Sequence, residues 1–253
     1  MKQALRVPVA RIQPGRTILD EDASRYVARV HRLRENDHLV LFDPDQALEA
    51  DAEIASVDRT SVTLVVHEVR PASMRPMRRI TLLQATCKSD KFDAIVRDAT
   101  ELGVSRVVPV FAERSVARPA GGRAARWRKI AIEAARQCGR GDAPAIASPM
   151  DLVDAVPMFA SGEGVTGFCL DPAATTPLGP ALLGASVDVE LAFLVGPEGG
   201  LTAAEIEACT TAGLAHVSLG PLTLRAETVC AAVLGAVSVL TDMAAKGSSS
   251  RTV

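Results

Sequence analysis

The chain has 253 residues, with 28 Lys+Arg against 30 Asp+Glu, a net charge of −2, 48% hydrophobic and 23% charged residues. That is enough chain for one large or two small domains, and it excludes the collagen-like, disordered and coiled-coil classes. No apolar run approaches the roughly 20 residues of a membrane helix, Met1–Arg6 has no apolar core of signal-peptide length, and five scattered cysteines without a Cys-x-x-Cys pair argue for reduced thiols in a cytoplasmic protein and against a zinc site.

The first 70 residues read as mostly β. Alternating runs occur at His38–Phe42 and Ser61–Val66, separated by the turn-prone Asp43-Pro44-Asp45 and Asp58-Arg59-Thr60, and Asp22–Arg32 reads as one short helix. Two prolines in Arg70–Pro76 and the loss of periodicity there mark a domain boundary. Beyond it the pattern becomes strand, helix, strand. Ile80–Ala85 is an apolar strand; Phe92, Ile95, Val96, Ala99 and Leu102 fall at helical spacing before a capping Gly103. Val107–Phe111 is a strand that its Pro109 assigns to an edge or an end. Ala124–Cys138 is an amphipathic helix, Val165–Leu170, Leu191–Val195 and His216–Leu219 are strands, and Thr202-Ala203-Ala204-Glu205 is a capping box opening a helix to about Ala212. Thr228–Leu240 is apolar nearly all round and therefore buried, in part against another subunit, and Ala244–Val253 reads as a polar flexible tail. The expected division is residues 1–72, 73–243 and a tail over 244–253. Strand–helix alternation of this kind implies an α/β fold with a mainly parallel sheet.

The net charge conceals an asymmetry. Residues 1–34 carry +5, residues 35–69 −8, residues 70–140 +10 and residues 141–253 −9. A basic surface on an otherwise acidic protein is the footprint of a polyanion such as an RNA backbone, and the plainer reading is solvated helix faces. Arg114 and Arg140 follow regular elements, where arginine can reach a phosphate.

Two glycine-bearing turns stand where open α/β sheets bind ligands, between a strand and a helix. The first is Gly196-Pro197-Glu198-Gly199-Gly200. It lacks the Gly-Lys-Ser/Thr of a P-loop, and its acidic residue favours a neutral or cationic ligand over a phosphate. The second is Leu219–Thr228, where Arg225 and Glu227 stand at the mouth of an apolar helix, either as an ion pair favoured by the helix dipole or as chemistry. The four histidines have no ligand-like spacing, so no metal is expected.

Together, Lys88-Ser-Asp-Lys91, Glu101-Leu-Gly-Val104, Glu113-Arg-Ser115, Glu133–Arg140, Gly196–Gly200, Leu219-Gly-Pro221 and Leu224–Thr228 resemble the ribosomal RNA small subunit methyltransferase E family, of the SPOUT class, in the family's order over residues 80 to 240. Arg29–Arg34 is similar to its leader segment. The resemblance implies an N-terminal PUA-like β-barrel, a C-terminal α/β domain with a trefoil knot, S-adenosylmethionine as methyl donor, and a homodimer. The implied reaction is methylation at N3 of one uridine (uridine 1498) of 16S ribosomal RNA in the small subunit. A ribose 2′-hydroxyl methyltransferase of the same fold and a non-catalytic RNA-binding assembly factor are the alternatives. The cofactor is expected at Leu170, Val195, Gly196, Pro197, Glu198, Gly199, Gly200, Leu219, Gly220, Thr223, Leu224, Arg225 and Thr228. RNA is expected at Arg32, Lys88, Lys91, Arg114 and Arg140. Glu227 and Arg225 are the candidates for base and anion stabiliser, with Glu198 as substitute base. Three departures from the family pattern stand out: Tyr26 where histidine is frequent, Asp43-Pro44-Asp45 in place of an Asp-Gly turn, and Leu222 where arginine is common.

Overall fold

The structure, a computed structural model, describes residues 4–116, 122–159, 162, 164–186 and 188–249. The chain forms two compact units: residues up to Arg75 together with Ile132–Ala143, and Pro76–Ala131 together with the chain from Pro144 onward.

In the first unit, β1 (Leu5–Pro8), β2 (Gly15–Ile18), β3 (His38–Asp43), β4 (Leu48–Val57), β5 (Val62–Val66) and β6 (Arg70–Pro71) make one sheet. Its order is β1-β3-β4-β5-β2, with β6 also paired to β4. All pairs are antiparallel except β1 along β3. Period-two alternation sends Leu39, Leu41, Ala50, Ala52, Ile54, Val62 and Leu64 into one core. Helix α1 (Glu21–Arg25) is capped by Asp20, whose carboxylate accepts from the Ala23 amide at 2.8 Å. It then widens into a π-helical turn over Tyr26–Val30, so the single helix expected over Asp22–Arg32 changes its winding midway. The chain leaves it at Arg32, which takes a φ of 55°. Tyr26 sits under the Arg136 guanidinium, 4.5 Å from ring centroid to Cζ, and its hydroxyl accepts from the same guanidinium.

The second unit is built from β7 (Ile80–Ala85), α2 (Ser89–Glu101), β8 (Arg106–Phe111), α3 (Arg123–Cys138, whose last turns belong to the first unit), β9 (Ala145–Ile146) and β10 (Met150–Asp151). After α4 (Leu152–Ala155) and a 3₁₀ turn come β11 (Val165–Leu170), α5 (Leu178–Gly184), β12 (Glu190–Val195), α6 (Ala203–Thr211), β13 (Ala215–Val217) and α7 (Ala226–Ser249). The strands lie in the order β10-β8-β7-β12-β11-β13, with β9 also on β8, and every pair is parallel. Alternate residues of β7 enter two different cores. Ile80 and Leu82 pack with α2, α3, α5 and α7; Leu83 and Ala85 pack with α4 and α6. Near-continuous apolar strands are the signature of a sheet covered on both faces.

Pro109 is accommodated by position. On its free side β8 meets, among the described residues, β9 at Arg106 and Val107 and β10 at Val110 and Phe111, so the missing amide falls between the two short strands. Asp93 ties α2 to α3 by accepting from Trp127 Nε1 at 3.1 Å and from Arg126 Nε at 3.0 Å, while the buried Trp127 ring packs 4.3 Å from Phe92. Helix α7 extends to Ser249, through the stretch the sequence assigns to a tail; residues 250–253 of that expected tail lie outside the described residues. No helix among the described residues is long and apolar enough to cross a membrane.

Candidate active site

The register of three parallel strands creates the site. Leu170 of β11 pairs with Val195 of β12 on one side and with Val217 of β13 on the other, so the strands end level. The chain then leaves the sheet three times, through Asp171-Pro172, through Gly196–Leu201 and through Ser218–Arg225. Between these exits lies a cavity of about 670 Å³, within the range that encloses a small ligand. Leu170, Val195, Leu219 and Leu224 give it apolar walls, and Asp171, Glu198, Arg225 and Lys91 bring charge to it.

Of the residues expected to hold a cofactor, Leu170, Val195, Gly196, Pro197, Glu198, Gly199, Gly200, Leu219, Gly220, Thr223, Leu224 and Arg225 all line this cavity. Thr228 does not. Ala226 and Val229, three residues apart on α7, share the inward face, and Thr228 lies on the exposed side of the helix. Sequence reasoning missed Asp171, Pro172, Leu201 and Val229, which also line the cavity. A signal existed for the first two: they directly follow Leu170 at a strand's carboxyl end, and an Asp-Pro step there reads as a turn.

The glycines have identifiable reasons. A Cβ on Gly199 would stand 3.2 Å from Arg114 Cβ, and one on Gly196 would stand 3.1 Å from Leu201 Cγ. Gly200 and Gly220 take φ of +71° and +128° and have open space where a Cβ would be. Close approach at Gly199 is therefore to Arg114, whose Nη1 donates to the Gly199 carbonyl at 3.0 Å. That arginine reaches the turn because Glu205 holds its loop. One Glu205 oxygen accepts from the Glu113 amide at 2.8 Å, and the other closes the capping box with the Thr202 amide at 2.8 Å.

The charges are unequally committed. Lys91, in the first turn of α2, forms an ion pair with Glu198 across the cavity mouth. The hydrogen bond and positive charge of Lys91 hold the Glu198 carboxyl below the usual carboxylate range, which weakens it as the substitute base. Glu227 does not line the cavity as its neighbours Arg225 and Ala226 do; it is partly buried, and its Oε2 is fully enclosed with no hydrogen-bond partner among the described residues. The expected alternative of an Arg225–Glu227 ion pair is not formed. Beside Glu227, burial pushes the Cys87 thiol up to about 11, with the charges of Glu198 and Glu227 adding to it. The thiol stays protonated at neutral pH. His216 Nε2 lies 2.9 Å from Asp171 Oδ2, and Asp171 Oδ1 accepts from the Ala173 amide at 2.9 Å, which fixes the turn after β11.

The residues expected to meet RNA separate as well. Arg32 and Lys88 are exposed, and Arg114 is exposed with one nitrogen on the glycine turn. Arg140 stands apart from them. It is 5% exposed, and its Nε and Nη2 donate to Asp142 at 2.9 and 2.8 Å, so this guanidinium is buried and paired within its own loop. The signal was in the sequence as an acidic residue two positions on.

An all-parallel sheet with a ligand cavity at its carboxyl edge, joined to a separate β unit, is matched by two families. A model described as RNA methyltransferase domain covers residues 73–238, and one described as RNA methyltransferase PUA domain covers residues 19–66. The molecule is an RNA methyltransferase of the SPOUT class. Ribosomal RNA small subunit methyltransferase E of Mycobacterium bovis is 34% identical over 89% of this chain and 87% of its own length. The Bacillus subtilis enzyme of that name is 30% identical over 86% and 88%. The crystal structure of the Neisseria gonorrhoeae ribosomal RNA small subunit methyltransferase E, bound to S-adenosyl methionine, superposes with a TM-score of 0.85 at 26% identity, covering 94% of this chain and 98% of that one. This chain belongs to the ribosomal RNA small subunit methyltransferase E family.

Proposed function

We propose that this protein uses S-adenosylmethionine to methylate N3 of one uridine in 16S ribosomal RNA, acting as a homodimer in the cytoplasm. The observation that carries the reading is the enclosed Glu227 Oε2, unpartnered among the described residues, at the start of α7, between Arg225 and Ala226 on one side and Val229 on the other, which line the cavity built by both glycine turns. A buried carboxylate oxygen without a partner costs free energy and persists where it has a use.

The residues present fit the cofactor. Leu170, Val195, Leu219 and Leu224 offer apolar surface to an adenine ring, the backbone of Gly196–Gly200 and Leu219–Thr223 offers hydrogen-bonding groups, and Glu198 and Asp171 suit a ligand with cationic groups. When bound, S-adenosylmethionine supplies a methyl group on a positively charged sulfur. The uridine N3 is weakly acidic and must lose its proton. Glu227 accepts that proton, and Arg225 stabilises the charge that develops on the base. Cavity walls that exclude water and orient the two reactants supply the rest. The uridine has to leave any stack to enter.

The test is mass mapping of methylated nucleotides in 16S ribosomal RNA from cells lacking the protein, and again after its gene is restored. Loss and recovery of one base-methylated uridine is the expected result. A change confined to a ribose hydroxyl, or none, overturns the reading.

A further inference from the structure

We propose that the Lys91–Glu198 ion pair is an exchangeable latch that couples the cavity to RNA: Glu198 gives up Lys91 when a cationic ligand occupies the cavity, and Lys91 then turns to an RNA phosphate. The proposal rests on the functional reading above and adds a link between its two binding events.

Three observations carry it. Lys91 and Glu198 both line the same cavity, so a ligand there meets their pair directly. Their side chains keep 30% and 38% of their surface exposed, so neither is locked by packing. The turn carrying Glu198 is fixed from its other side through the Gly199 carbonyl and Arg114, so Glu198 can change partner without the turn moving. The surrounding charges frame the exchange. Lys88 and Arg225 act on Glu198 besides Lys91, and Glu227, Arg225 and Glu198 act on Lys91. A further cation close to Glu198 competes with Lys91 for the same carboxylate and repels its ammonium, and the long, half-exposed lysine stem lets that charge swing outward. Lys88, exposed one turn earlier, offers a second cation at the same helix start, beside the exposed Asp90. Reciprocity follows: if a cavity cation strengthens RNA binding, RNA strengthens the cation's binding by the same factor.

The test measures binding of unmethylated 16S ribosomal RNA across a salt series with the cavity empty, with sinefungin, or with 5′-methylthioadenosine. Sinefungin carries an ammonium in place of the sulfonium and transfers no methyl; methylthioadenosine fills the adenosine part without a cation. In the wild type, sinefungin is expected to tighten RNA binding by roughly 10-fold and to steepen the salt slope by about one unit, the signature of one more phosphate contact. Methylthioadenosine is expected to do neither. Two variants start from opposite ends. Lys91→Met should show the shallow slope with or without sinefungin, and Glu198→Gln should show the steep slope even without ligand. Circular dichroism and thermal denaturation verify that both variants fold. A wild-type slope that sinefungin leaves unchanged overturns the latch, as does full coupling retained in Lys91→Met. Failure of sinefungin to bind the wild type overturns the cofactor assignment and the latch with it, so the two failures are distinguishable.

Discussion

At the scale of single residues, the sharpest expectation concerns Glu227. Its Oε2 is enclosed and unpartnered, so replacing the carboxylate with an amide removes a proton acceptor without breaking an existing hydrogen bond. Glu227→Gln should lower single-turnover methylation by roughly 10²–10⁴ and leave the dissociation constant for S-adenosylmethionine unchanged. A purely structural role would instead show as a shifted melting temperature at full turnover. A second expectation comes from Cys87. Its folded pKa of about 11 lies above the ordinary thiol value of 9.0, so its contribution to stability is complete below pH 9 and is lost as pH rises toward 11. Chemical denaturation at pH 8 and at pH 10.5 should give the lower stability at the higher pH, and Cys87→Ala should reduce the difference. Neither residue's situation was legible beforehand. Charge at the mouth of an apolar helix could be read from Arg225 and Glu227, but whether they pair depends on side-chain directions that spacing leaves open. The Lys91–Glu198 pair joins residues 107 positions apart, and no local pattern announces it.

At the scale of elements, Glu205 is the point where several effects meet. It is 6% exposed, caps α6 and holds the Glu113 amide of the loop after β8, the loop that sends Arg114 to the Gly199 carbonyl. Glu205→Ala removes a cap, worth about 1 kcal/mol, and takes the charged acceptor away from the part-buried Glu113 amide, worth about 1.5–3 kcal/mol. The expected loss of stability by denaturant titration is about 2–4 kcal/mol, with weaker binding of S-adenosylmethionine as Arg114 loosens. Arg114→Ala should weaken cofactor binding without the stability loss; equal stability losses in the two variants would place the effect in the loop alone. The capping box itself was legible from Thr202 and Glu205, because it is a local signal of two residues. So were β7, α2, β11 and β12, where apolar periodicity and packing agree. Strand β4 was not. Its Leu-Glu-Ala-Asp-Ala-Glu-Ile sequence has little β propensity, and the sheet wins because Ala50 and Ala52 are both fully buried against it. The widening at Tyr26–Val30 was equally hidden, since the ring and hydroxyl of Tyr26 engage Arg136, 110 positions away.

At the scale of the whole molecule, the +10 block between residues 70 and 140 overstates the surface available to RNA. Arg70 is paired with Asp51, Arg79 with Glu190, Lys91 with Glu198 and Arg140 with Asp142, all acidic residues outside the block, so side chains that give the block its sign also hold its elements together. A sum over sequence counts charges, and only coordinates show which are spent. The same distinction governs α7. The sequence calls for burial of the whole helix from Thr228 to Leu240, and the chain supplies it for Cys230, Val233, Leu234 and Val237, which face the sheet. The other side keeps Ala232 exposed and Val239 62% exposed, while Thr241 Oγ1 is enclosed without a partner. Ala232 and Val239 lie seven positions apart on one face of a helix whose first turn forms the cavity wall, and we propose that a second copy covers that face. Val239→Arg would bury a charge in that contact. The wild type is therefore expected to sediment as a dimer at micromolar concentration and Val239→Arg as a folded monomer with reduced methylation. A wild-type monomer with full activity at that concentration would show that α7 completes the site alone.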